Sequence, residues 1–146
     1  MTAVPSAILE LLLRYFGHAA LPDYSASLDI VSRRPYQPLR ERLMVRWSLE
    51  DLTDVQYDLG WSWWLSADVQ VVNLRLSFVG PFAVLLDSSG TAMVRDDDVL
   101  ALVQEEGFVV LTPAQLKVPV ETWSPECSGE LYEFLFEFDR GTPWNR

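Results

Sequence analysis

The sequence predicts an α+β fold built on a twisted antiparallel sheet, and three observations predict it. Strict alternation of apolar and polar residues recurs between residues 43 and 78, two stripes have helical spacing, and 49% of 146 residues are apolar. The expectation is a single domain over residues 1–146. A meander of about five to seven strands is expected, packed on one side by two main helices.

Pro5 suits a first helical turn, and Ile8, Leu9, Leu11, Leu12, Leu13, Tyr15 and Phe16 supply an apolar face that ends at Gly17, so a helix is predicted over 6–16. Pro22, Pro35 and Pro38 predict an irregular connection across 17–38. Leu43, Val45, Trp47 and Leu49 then alternate with polar or charged positions as a first strand. After a polar turn at 50–54, Val55, Tyr57, Leu59, Trp61 and Trp63 read as a second. Val72, Leu74, Leu76 and Phe78 make a third, closed by Gly80 and Pro81.

The apolar run Phe82 to Leu86 fits a central strand entering a turn at Asp87-Ser88-Ser89-Gly90, with residues 91–94 as a return partner. Asp96, Asp97 and Asp98 favour the start of a helix over 97–106, because acids there complement the macrodipole. Phe108 to Leu111 reads as a short strand, and Thr112-Pro113-Ala114-Gln115 as a capping box opening a short helix. Beyond an extended Val118 to Val120 and a loop around Pro125 and Gly129, Tyr132, Phe134, Phe136 and Phe138 alternate with Glu133, Leu135, Glu137 and Asp139. That pattern predicts a last strand.

Charge is divided unevenly. Residues 1–46 hold six arginines and four acids, whereas residues 47–146 hold seventeen acids and five bases, within a formal net charge of −10. Such a field disfavours nucleic acid and anionic lipid and attracts basic partners; the same excess also serves solubility. The apolar stretch Ile8 to Leu13 lacks the flanks of a signal peptide, and Phe78 to Leu86 falls short of the ~20 residues of a membrane span. With Cys127 the single cysteine, a reducing, cytoplasmic location is the expectation.

Few chemistries have the residues they need. His18 is the sole histidine, so neither a hydrolytic triad nor a zinc site is expected, and Cys127 sits between Glu126 and Ser128, where acids raise a thiol pKa. The glycines form no phosphate-binding pattern, and helix capping accounts for Asp96 to Asp98 better than a metal does. No catalytic residue, metal or cofactor is expected.

What remains is an acidic and aromatic constellation. Residues 48–74 carry five acids and no base, and residues 121–139 carry six acids and no base. On the predicted strands Asp58, Glu133, Glu137 and Asp139 fall opposite the aromatic core set, and Trp64 breaks alternation to reach the same surface. An aromatic anchor among charges is a common interface design, so these five residues form the candidate partner-binding site. The expected function is that of a non-catalytic acidic protein capturing a basic protein, with a homodimer compatible with the charge asymmetry. In size and composition the chain is similar to small, acidic, Trp-rich bacterial immunity proteins, which neutralise a toxin; the likeness transfers no residue. The alternative is a small hydrophobic ligand held in a pocket lined by Trp61, Trp63 and Phe136.

Overall fold

The computed structural model describes residues 4–19, 22–23, 36–54, 58–137 and 142–145. Among them the helices are α1 (Ser6–Phe16), α2 (Gln37–Met44), α3 (Asp97–Glu105), α4 (Pro113–Leu116) and α5 (Leu131–Leu135). Strands are β1 (Ser48–Asp51), β2 (Gly60–Ala67), β3 (Gln70–Ser77), β4 (Phe82–Asp87), β5 (Val109–Val110), β6 (Pro119–Val120) and β7 (Gly129–Glu130). No helix among these residues is long and apolar enough to cross a membrane.

The fold is α+β, as the sequence predicts. Strands β1 to β5 make one sheet in chain order, antiparallel from β1 to β4, and β6 and β7 form a separate antiparallel pair. β5 departs from the meander by pairing parallel with β4, and α3 is the crossover that parallel pairing requires. Gly60 opens β2 where the backbones crowd: a Cβ there would lie 2.3 Å from the Leu76 carbonyl oxygen. The turn after β4 forms as expected, with Asp87 Oδ1 accepting from Ser89 Oγ at 2.8 Å and from the Thr91 N–H at 3.1 Å, and Gly90 at a φ of 70°. These bonds, that from Ser89 first, hold the Asp87 carboxyl below its ordinary pKa.

The two main helices cover opposite faces of the sheet, which corrects the expectation that both lie on one side. Trp61, Trp63 and Leu65 of β2 and Leu74 and Leu76 of β3 pack with Leu39 and Leu43 of α2 and Val99 and Val103 of α3. On the other face Val84 and Leu86 pack with Ile8, Leu12 and Phe16 of α1 and with Leu131, Phe134 and Leu135 of α5. β4 lies between the two cores: Ala83 and Leu85 enter one, Phe82, Val84 and Leu86 the other. A continuous apolar run is what burial on both faces demands.

Two further expectations change. The predicted first strand over 43–49 begins only at Ser48, because Leu39, Leu43 and Trp47 bury at four-residue spacing and carry the chain in a helix, while Val45 is exposed. Pro38 stands near the helix start, where its missing N–H costs nothing. The start of the predicted last strand is helix α5, since Leu131, Phe134 and Leu135 share one helical face; Glu137 makes a single bridge, and 138–139 lie outside the described residues. A reciprocal capping box between Glu130 and Glu133 sets its start. The return strand at 91–94 is reduced to a bridge between Leu86 and Met93. Helix α3 and the Thr112 capping box form where predicted, with Asp96 Oδ1 accepting from the N–H groups of Asp98 and Val99. The stretch 24–35 and the strand start at 55–57 lie outside the described residues.

Candidate functional site

Alternation places Ser62 and Trp64 of β2 and Asn73, Arg75 and Ser77 of β3 on the face that carries α1 and α5. In register, Ser62 lies opposite Arg75 and Trp64 opposite Asn73. The polar side chains of this patch are largely buried, Asn73 and Ser77 completely and Ser62 at 3% exposure. Burying polar atoms demands partners. The Asn73 amide donates to Ser62 Oγ at 3.1 Å and to the Trp63 carbonyl at 3.3 Å, while its oxygen accepts from Arg75 Nε at 2.8 Å.

Arg75 then faces two carboxylates. Its Nη1 stands 2.8 Å from Glu137 Oε1 and 3.8 Å from Asp58 Oδ1, and Tyr132 donates its hydroxyl to Glu137 Oε2 at 2.6 Å. Asp58 Oδ2 accepts from the Asp54 N–H at 2.7 Å. Burial works against the guanidinium charge, but Tyr132, Glu137 and Asp58 together outweigh it and hold Arg75 above its ordinary pKa. An antiparallel bridge joins Asp58 to Glu137, and the Leu59 N–H donates to the Phe136 carbonyl at 2.9 Å, so the cluster ties the segment after α5 to the chain before β2.

The five predicted site residues therefore do not share one exposed surface. Asp58 at 4% and Glu137 at 0% exposure are buried, because the bridge between them sets Glu137 against Arg75 of the sheet instead of leaving that face open. Glu133 is half-buried on α5, where its Oε1 accepts from the Glu130 N–H at 3.4 Å. Asp139 lies outside the described residues. Trp64 alone keeps the predicted position, half-buried on β2 and outside both cores. Trp61 and Trp63 belong to one core and Phe136 to the other, so the sheet separates the three aromatics of the pocket alternative. A shallow cavity of about 210 Å³ is lined instead by Tyr36, Pro38, Leu39, Pro81, Glu106 and Phe108. It is smaller than the ~300 Å³ at which ligand sites usually begin.

Sequence reasoning missed Arg75, Asn73 and Tyr132. One signal was present: Arg75 is the sole basic residue across 47–94, where six acids surround it in sequence. His18 is exposed and Cys127 half-buried, and among the described residues no group of three or more His, Cys, Asp and Glu side chains could hold a metal.

Three arginines of the basic N-terminal part meet the acidic remainder within one molecule. Arg42 of α2 pairs with Glu105 at 2.5 Å and Glu106 at 2.9 Å, Arg46 with Asp98 at 2.7 Å, and Arg40 with Asp51 at 3.6 Å. The hydrogen bonds that Arg42 donates, to Glu105 first and Glu106 next, hold it above its ordinary pKa. These are surface pairs of small individual worth, yet they align α2 along α3 and β1. No protein-family model matches the chain, and no curated protein or solved structure is significantly similar to it.

Proposed function

We propose that the protein is a non-catalytic binding protein whose acidic surface takes a basic protein partner, in the manner of a bacterial immunity protein that neutralises a toxin. The observation that carries this reading is the internal use of the basic segment 37–46. Arg40, Arg42 and Arg46 are engaged by acids of the same molecule, so the surplus negative charge is displayed elsewhere, at exposed Glu50, Asp68, Glu121 and Glu126. A field of this sign steers a basic protein into encounter and weakens as salt screens it. The free Cys127 suits a reducing compartment, and the cytoplasm is the proposed one.

Affinity capture from a lysate of the source organism, at low and then high salt with mass spectrometry of the retained proteins, tests the reading. The expected result is a small set of basic proteins that salt releases. Retention of neutral or acidic proteins that salt does not release would show that the charge serves solubility alone.

A further inference from the structure

The geometry points to a seat for an arginine side chain of the basic partner, formed by Trp64 and Glu50; this rests on the acidic-binding reading above. Five of the six tryptophans are used by the fold. Trp47, Trp61 and Trp63 are buried in one core, Trp123 is buried in the other, and Trp144 packs against the latter. Trp64 belongs to neither. Half-buried on β2, it has among the described residues no ring neighbour, no cation over its face and no hydrogen bond from its indole.

The protein already places cations over two of its other indoles. The Arg46 guanidinium lies 5.0 Å from the Trp47 ring centroid, and the Lys117 ammonium 5.3 Å from that of Trp144. Trp64 has the remaining ingredient as well. Glu50 is its cross-strand partner in the register of β1 and β2, which puts the two Cβ atoms about 4.5–5.5 Å apart on one face. Glu50 is exposed and, among the described residues, has no ion pair. Exposed Val71 of β3 and half-buried Ser66 of β2 face the same way.

A planar guanidinium fits this pair better than an ammonium. It stacks flat on an indole and turns its N–H edge to a carboxylate, whereas lysine is a compact, strongly hydrated point charge. Exposed Asp68, with Glu121 and Glu126, supplies the long-range attraction, and Trp64 with Glu50 supplies the preference for arginine.

The test is fluorescence anisotropy of labelled arginine-only and lysine-only peptides of equal length, titrated with the whole protein at low salt. The expected result is tighter binding of the arginine peptide, with Trp64→Ala lowering its affinity roughly 2- to 30-fold and leaving the lysine peptide nearly unchanged. Glu50→Gln, at an exposed position, reduces the same preference without touching the fold, and Trp64→Phe retains part of it. Equal affinity for both peptides overturns the seat while leaving the acidic-binding reading in place. An arginine preference that survives in both Trp64→Ala and Glu50→Gln also overturns it. Failure of both peptides to bind overturns the seat together with the reading beneath it.

Discussion

Replacing Arg75 with methionine is expected to lower the free energy of unfolding by about 3 kcal/mol, measured by urea denaturation at neutral pH. The substitution keeps a similar length of side chain but withdraws the charge that β3 sets against both Asp58 and Glu137. Two carboxylates at 4% and 0% exposure are then left in a medium that solvates them poorly. The loss comes mostly from that exposed debt of solvation, not from the worth of the pair itself. Replacing Arg75 and Glu137 together with apolar residues should therefore cost less than Arg75→Met alone, because a buried ion pair removed whole is often neutral. A single variant within about 0.5 kcal/mol of the parent would mean that the cluster is not a determinant of stability.

Alkaline pH is expected to weaken the fold through Tyr36. Burial first, and the neighbouring Tyr15 second, push its hydroxyl up to about 12 from the ordinary 10.0. The hydroxyl donates to the Ser77 carbonyl at 2.7 Å, and the ring meets Phe108 edge-on at 4.8 Å. The unfolded chain releases this proton near pH 10 and the folded chain only near 12. Stability is therefore full below about pH 10 and falls as pH rises towards 12, by about 2–3 kcal/mol. Other tyrosines also ionise in that window, so the readout is the difference between parent and Tyr36→Phe. The two curves should converge above pH 10, from a deficit of about 1 kcal/mol for the lost hydrogen bond, and cross before pH 12. Parallel curves would rule out the assignment.

The elements that were legible in the sequence are those whose local signals agree. Helix α1 has Pro5 before it, Gly17 after it and one apolar face between, and it forms at Ser6–Phe16. Strands β2 and β3 alternate cleanly because each has an aromatic or aliphatic face on one core and a polar face on the other side. Where two periods fit the same residues, the sequence misleads. Leu131 to Phe136 satisfies both a strand and a helix, and the reciprocal bonds of Glu130 and Glu133 decide for the helix.

The same ambiguity moved the candidate site. Alternation puts Asp58 and Glu137 opposite the aromatic set, which in a one-sided sheet means solvent. Here the bridge between them sets Glu137 against Arg75 and both are buried. A contact between residues so distant along the chain leaves no periodic trace. Trp64 was legible because it fails to fit either core, which is a local property of one strand.

The bridge between Asp58 and Glu137 also bears on how the chain reaches its native state. Strands β1 to β4 each pair with the next in sequence, so their contacts close short loops and lose little chain entropy. Joining Asp58 to Glu137 closes a loop that contains β2 to β5 and α3, and its ion pairs form only once β3 presents Arg75. The meander is thus expected to nucleate, with the C-terminal segment docking late. In kinetic measurements Leu74→Ala should slow folding, whereas Phe134→Ala should chiefly speed unfolding. The most buried charges of the protein would then be the last to leave water, held back until the surface that receives them is complete.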